Sequence, residues 1–113
     1  MERYEQQFKK GVLELMILKL ISVEKTYGYD LITKLKRNSN GLFCLKEGTL
    51  YPLLYRLEGD GLICSTEEVL AGSNKRKKKY YEITELGRET LDGLIDYWDS
   101  FSGHVNKILQ LGD

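Results

Sequence analysis

The C-terminal part of the chain has a regular spacing of large apolar side chains. They recur three and four positions apart in alternation, and they are Leu91, Leu94, Trp98, Phe101, Val105 and Ile108. This spacing is the a/d seam of a coiled-coil helix, sustained over more than two heptads. It predicts one helix from Glu85 to near Leu111, which is roughly 40 Å long at about 1.5 Å per residue.

A helix of this length is too long for the rest of the chain to cover. The 113 residues make one ordinary domain, which can bury only part of the seam against itself. The remaining seam predicts a partner, and a second copy is the simplest one because two-fold dimers dominate soluble oligomers. Tyr4 and Phe8, four residues apart near the N-terminus, are further candidates for that interface. Leu91 and Leu94 have an alternative interpretation, as a cover for the first helix.

Four helical segments, the first of them short, precede the C-terminal helix. An apolar run from Gly11 to Ser22 predicts a mostly buried helix, and the polar segment from Arg3 to Lys10 predicts a short helix before it. A second, amphipathic helix begins near Tyr27 and ends at the turn-forming residues 38–41. A third helix is predicted from about Glu47 to Asp60. Its single apolar stripe consists of Leu50, Leu53, Leu54 and Leu57.

A hairpin is predicted between the third and the last helix. Segments 62–69 and 79–83 are able to form strands, and a polar, glycine-containing tip separates them. Thr84 then suits the N-cap of the last helix. The fold class is therefore mainly α (α+β): a winged helix-turn-helix with a two-stranded wing and a long C-terminal dimerisation helix. Residues 1–84 form the expected DNA-binding unit, and residues 85–113 form the dimerisation helix.

The third helix is the expected DNA-reading element. In a helix-turn-helix the later helix enters the major groove, and its N-terminal residues face the base edges. Hydroxyl groups there can bond bases or phosphates, and cations can neutralise phosphates. The candidate contacts are Lys46, Thr49, Tyr51, Pro52, Tyr55 and Arg56. An alternative remains for Tyr51 and Tyr55, which would pack on each other as a surface aromatic pair.

A basic run at the hairpin tip gives a second candidate DNA contact. The run can be a solvated loop, but its position after the third helix favours contact with the neighbouring DNA backbone or minor groove. Each phosphate contact there releases counterions from the DNA. The candidates are Lys75, Arg76, Lys77 and Lys78. The net charge gives no support for a nucleic-acid partner, because 17 basic residues balance 17 acidic ones. The distribution is uneven, with 15 basic and 11 acidic residues up to Thr84 and 2 basic and 6 acidic after it.

Several other classes of protein are not favoured. Cys44 and Cys64 have no CxxC spacing and only His104 to help, so we expect reduced, packed thiols and no metal site. No residues around His104 suggest a catalytic group, so neither an enzyme nor a cofactor is expected. No apolar run approaches the roughly 18 residues of a membrane span, and the charged N-terminus lacks the features of a secretory signal. A cytoplasmic location is expected.

The chain resembles the PadR-like family of winged-helix regulators, in its short form with one C-terminal helix. The resemblance rests on KGVLELMILKLI at 10–21, YGYDLITKLK at 27–36, LKEGTLYPLLYRLEGDGLI at 45–63, KRKKKYYEITELGRETL at 75–91 and VNKIL in the last helix. The segment GTLYPLLYRLE is the most specific of these. The wing departs from the common family pattern GGPRRKYY, since it has GSNKRKKKYY.

The resemblance implies a dimeric repressor on inverted-repeat operators, released by a small aromatic or cationic molecule. It implies base contacts from Thr49, Tyr51, Pro52 and Tyr55 and backbone contacts from Tyr27 and Tyr29, which begin the second helix. Some family dimers hold flat ligands between interface tryptophans. Trp98 with Phe101 is the matching effector region here, although an aromatic residue in a heptad seam is also ordinary dimer core.

Two other functions stay open at this point. One is an interaction module that uses the C-terminal helix to join a larger assembly and does not touch DNA, and the near-zero net charge supports it. The other is a cytoplasmic small-molecule binder whose output is regulation.

Overall fold

The computed structural model describes residues 1–69 and 77–112. Its elements are α1 (Glu2–Val23), β1 (Thr26–Tyr27), α2 (Gly28–Asn38), α3 (Glu47–Gly59), β2 (Ile63–Val69), β3 (Lys77–Ile83) and α4 (Glu85–Leu109). The predicted order of three helices, a hairpin and a long last helix is confirmed. Among the described residues, no helix combines the length and the apolar character that a membrane crossing requires.

The first helix differs from the prediction. The expected short helix at 3–10 and the buried helix at 11–22 are one continuous helix, α1. Gly11 is the only weak helix former at their junction, and one glycine costs a helix only about 1 kcal/mol. The core residues of α1 are Ile17, Leu18 and Ile21, in its C-terminal half, while its N-terminal turns are exposed.

The wing is part of a three-stranded sheet. β2 and β3 form the predicted antiparallel hairpin, with Ile63 opposite Ile83 and Val69 opposite Lys77. β1 adds an antiparallel strand on the other edge of β3, so the strand order is β1-β3-β2. The sequence pattern missed β1 because two residues are too few to show the alternation of a strand. α2 consequently begins at Gly28, one residue later than predicted.

The core is formed where the apolar faces of the helices meet the sheet. Its buried residues are Ile17, Leu18, Ile21, Leu31, Leu35, Leu50, Leu53, Leu54, Leu57, Ile63, Tyr81 and Leu91. The predicted leucine stripe of α3 is thus confirmed in full. Because that stripe faces the core, the opposite side of α3 must face solvent.

The helix ends follow the predicted turn chemistry. Gly61 has a φ of 78°, and behind it the Leu62 amide donates to the Leu57 carbonyl at 3.0 Å, which closes α3 in a Schellman motif. Thr84 caps α4, since its Oγ1 accepts a hydrogen bond from the Gly87 amide at 2.9 Å. Asn40, at a φ of 53°, turns the chain after α2.

The expectation that both cysteines are packed is wrong. Cys44 and Cys64 are free thiols, as predicted, but both are exposed and neither is packed. Cys44 lies in the turn between α2 and α3. Cys64 follows the buried Ile63 on β2, so the alternation of the strand turns it outward.

A buried threonine and an ion pair hold the start of α2. Thr26 Oγ1 donates to Asp30 Oδ2 at 2.7 Å, and Lys34 Nζ lies 2.9 Å from the same carboxylate oxygen. The hydrogen bond from Lys34 lowers the pKa of the Asp30 carboxyl; partial burial opposes this effect, and the hydrogen bond from the Thr26 hydroxyl adds a smaller lowering. The charged form of Asp30 therefore stabilises the fold.

This arrangement predicts a pH-dependent contribution to stability. Because the pKa of Asp30 is lower in the folded state, its contribution is complete above about pH 4, the range of an unfolded aspartate, and is lost as the pH falls through the folded value. We expect the difference in unfolding free energy between wild type and Asp30→Asn to be constant near neutral pH and to shrink in acid. Urea unfolding across the acid range measures it, and a pH-independent difference would contradict the prediction.

Candidate nucleic-acid interface

The exposed face of α3 contains the predicted reading residues. The exposed residues of α3 and its N-cap include Lys46, Thr49, Tyr51, Pro52, Tyr55 and Arg56. Tyr55 is 80% exposed and Tyr51 is 44% exposed. All six are therefore accessible to a DNA groove.

Tyr51 is more constrained than its exposure suggests. A Cβ built on Gly28 would lie 2.5 Å from Tyr51 Oη, so the ring occupies space that a side chain at the start of α2 would fill. The ring contacts among the described residues join Tyr27 to Tyr80, Tyr97 to Phe101 and Trp98 to Phe101. The aromatic pair considered for Tyr51 and Tyr55 is therefore not formed, and Tyr51 instead packs against α2.

Arg56 has an intramolecular partner. Its Nε donates to Glu14 Oε1 at 2.8 Å, and a second guanidinium nitrogen bonds the same oxygen. Both side chains are about half exposed, so the pair joins α3 to α1 at the surface. Sequence reasoning missed Glu14 because it lies 42 residues away along the chain. Arg56 would have to leave this carboxylate in order to bind a phosphate.

The structure joins the predicted α2 contacts to the wing. Lys78 Nζ lies 3.8 Å from the centroid of the Tyr27 ring, and that ring meets Tyr80 edge-on at 5.6 Å. Such a cation–π contact is worth about 0.5–1 kcal/mol at an exposed site. Tyr29 is exposed in the first turn of α2. Tyr27 therefore positions a wing lysine, and the exposed Tyr29 is accessible to a DNA backbone.

Two wing cations have acidic neighbours. Lys77 lies 3.9 Å from Glu67 across the hairpin, and Lys79 lies 3.6 Å from Glu58 of α3. The predicted start of the second strand at Lys79 is wrong, because β3 begins at Lys77, so Lys77 and Lys78 also lie in the strand. Lys25, which sequence reasoning did not select, bonds Glu68 and approaches the Tyr80 ring to 5.2 Å. The predicted contacts Lys75 and Arg76 lie outside the described residues.

A groove of about 830 Å³ lies between α1 and α4. Five of the predicted interface residues line it, namely Phe8, Leu94, Trp98, Phe101 and Val105. Tyr4 and Ile108 are exposed outside it. The prediction that Leu91 belongs to the dimer interface is wrong, because Leu91 is only 4% exposed and belongs to the core of its own chain. The seam of α4 therefore changes from core to open groove between Leu91 and Leu94.

Comparison with known proteins identifies the family. The model of the transcriptional regulator PadR-like family matches residues 17–93, which include α2, α3 and the wing. A transcriptional regulator of Mycobacterium tuberculosis, Rv3488, is 34% identical over 86 residues, covering 76% of this chain and 75% of the relative.

Solved structures agree with this match. A PadR-like transcriptional regulator from Bacillus cereus superposes with a TM-score of 0.78 at 42% identity, covering 92% of this chain and 97% of that one. Bacillus subtilis PadR, whose structure is of a complex with operator DNA, has a TM-score of 0.68 at 27% identity, covering 74% of this chain and 46% of PadR. The exposed α3, the wing and these likenesses agree, and the chain belongs to the PadR-like family of transcriptional regulators, with a DNA-binding fold.

Proposed function

We propose that the protein is a homodimeric repressor that binds an inverted-repeat operator in double-stranded DNA and leaves it when a small effector binds. The exposed face of α3 is the observation that supports DNA reading most directly. Its leucine stripe is buried in the core, whereas Thr49, Pro52 and Tyr55 are exposed to solvent. Bacillus subtilis PadR, whose structure is of a complex with operator DNA, has a similar fold over 74% of this chain, which supports the proposal.

The DNA contacts divide by chemistry. Thr49, Tyr51, Pro52 and Tyr55 are the proposed base-edge contacts, because they lie on the exposed face of α3. The proposed phosphate contacts are Tyr29, Lys46, Lys75, Arg76, Lys77 and Lys78, with Tyr27 holding Lys78. Arg56 joins them only if DNA displaces Glu14. Phosphate contacts set register and affinity, whereas base contacts set sequence preference.

The dimer is supported by the apolar surface that one chain leaves open. Trp98 is 42% exposed and Phe101 is 47% exposed in the groove between α1 and α4. Burying apolar area stabilises an assembly by about 25 cal/mol per Å², and large contiguous apolar patches mark interaction sites. A second copy on this face would relate two α3 helices by a two-fold axis, which matches a palindromic site.

The effector is proposed to bind in the same groove. Trp98 lies 6.4 Å from Phe101 between ring centroids, and Phe101 stacks on Tyr97 at 5.6 Å, so flat rings line the space. Trp98 is the only tryptophan of the sequence, and its fluorescence therefore reports on this groove alone. Planar cationic dyes should quench it. If several dyes leave the fluorescence unchanged, Trp98 is dimer core and no more.

Two variants test the assignment of the DNA surface. We expect Thr49→Ala to change the sequence preference among duplexes selected from genomic DNA. The binding free energy for the duplex that wild type prefers should weaken by about 1 kcal/mol. We expect Lys77→Gln to weaken all duplexes about equally and to reduce the salt slope of binding by about 1. Fluorescence anisotropy with a selected and a mixed-sequence duplex separates the two effects. A wild-type protein that retains no DNA would favour the interaction-module alternative.

A further inference from the structure

A second cleft, of about 550 Å³, lies between α1 and the turn that leads into α3. Its ionisable lining includes Lys9 and Lys10 from α1 and Lys46 at the N-cap of α3, and no aspartate or glutamate lines it. The ion pairs of the described residues involve none of these three lysines. Carboxylates pair instead with Lys25, Lys34, Arg56, Lys77 and Lys79. The charge of the cleft therefore favours an anion.

The cleft is also preorganised. Lys9 is half-buried, and its Nζ lies 5.9 Å from the centroid of the Phe43 ring, so a cation–π contact holds the lysine beside an apolar wall. Leu13 and Leu45 complete that wall. Apolar surroundings strengthen the attraction between a cation and an anion relative to bulk water. Less side-chain entropy is lost when such a held lysine binds its partner.

The position of the cleft relates it to the reading face of α3. Thr49, the first proposed base contact, lines the cleft together with Lys46. Lys46 makes no side-chain cap, and the Thr49 amide donates to the Lys46 carbonyl at 3.0 Å. The amides of Glu47 and Gly48 have no intrahelical partner, and the positive end of the helix dipole lies beside the lysines. Glu47, in the same turn of the helix, is not among the lining residues. An anion in the cleft would thus sit next to the DNA groove that α3 enters.

We infer that the cleft binds a backbone phosphate of the operator, with Lys9 and Lys10 as DNA contacts from α1. This inference rests on the proposed DNA binding. It extends that proposal to a helix outside the helix-turn-helix, for which the sequence pattern indicated only packing. A free phosphate has the same chemistry, but the continuity of the cleft with Thr49 favours the phosphate of a bound duplex.

The salt dependence of DNA binding tests the role of the lysines. We expect Lys9→Gln and Lys10→Gln each to weaken binding of a mixed-sequence duplex several-fold and to reduce the slope of log affinity against log salt by about 1. Lys19→Gln is the matched control, since Lys19 is exposed on α1 nine residues after Lys10 and hence half a turn away from it. It removes the same charge and should leave the slope nearly unchanged. Lys10 is the sharper test, because Lys9 also lines the α1/α4 groove.

Thiol labelling gives an independent readout, because exposed Cys44 lines the cleft. In a Cys64→Ser variant, a saturating duplex should slow maleimide labelling of Cys44 several-fold. In a Cys44→Ser variant, labelling of Cys64 should not change, since Cys64 lies opposite Glu82, far from the hairpin tip. Slowing of Cys44 labelling by inorganic phosphate but not by the duplex, at matched ionic strength, would assign the cleft to a free anion and contradict the inference.

The outcomes separate this inference from the proposed function. If wild type binds the duplex and Lys10→Gln behaves as Lys19→Gln does, the cleft is not a phosphate site although DNA binding stands. If wild type binds no duplex, both proposals are wrong. A light-scattering measurement of each variant at the same concentration ensures that a lost dimer is not mistaken for a lost phosphate contact.

Discussion

Gly87→Ala is expected to destabilise the fold by about 3 kcal/mol or more. A Cβ at Gly87 would lie 2.0 Å from the Leu62 carbonyl oxygen and 2.7 Å from Ile83 Cγ1. The Leu62 oxygen is held in place, because it accepts the Thr84 amide at 3.1 Å in the connection to α4. Backbone must therefore move on one side or the other, and the cap of α4 must move with it.

The control for this prediction is a second glycine of the same helix. A Cβ at Gly103 meets nothing within 4 Å, so Gly103→Ala should stabilise the protein by up to about 1 kcal/mol through helix propensity. Urea unfolding at one fixed protein concentration measures both changes, since the proposed dimer would make stability concentration-dependent. Equal effects of the two substitutions would show that α4 does not pack on Leu62 as closely as the structure has it.

Phe101→Glu is expected to convert the proposed dimer to a monomer and to lower operator affinity about 100-fold or more. The substitution places a charge in the apolar groove beside Trp98, where a buried carboxylate without a partner is costly. Loss of the second subunit removes the avidity of two linked half-site contacts, which is commonly worth a factor of about 10² to 10⁴. Sedimentation measures the oligomeric state, and anisotropy with a selected operator measures affinity.

Ser100→Glu adds the same charge one residue earlier, outside the groove lining. It should leave both the dimer and the operator affinity nearly unchanged. Circular dichroism should show folded helices for both variants, because Phe101 is half exposed in the single chain. A dimeric Phe101→Glu protein would place the interface elsewhere on the chain.

Local pattern was sufficient to predict most of the elements. The stripe of Leu50, Leu53, Leu54 and Leu57 predicted both the extent of α3 and its buried face, because helical periodicity depends only on nearby residues. Thr84 and Gly61 predicted their caps for the same reason. The strand β1 and the continuity of α1 escaped prediction. A two-residue strand exists only through its pairing with β3, and a single Gly11 is too weak a signal of where a helix stops.

The sequence by itself determined the helix order, the faces of α3 and the seam of α4, since each follows from spacing along one element. Only the tertiary structure decided which of those side chains were free to act. In the folded chain Arg56 pairs with Glu14, and Lys78 lies over the ring of Tyr27. Leu91 is buried in the core, and one cleft is lined by Lys9, Lys10 and Lys46. These contacts join residues far apart in the chain, and no local periodicity encodes the distance between two elements.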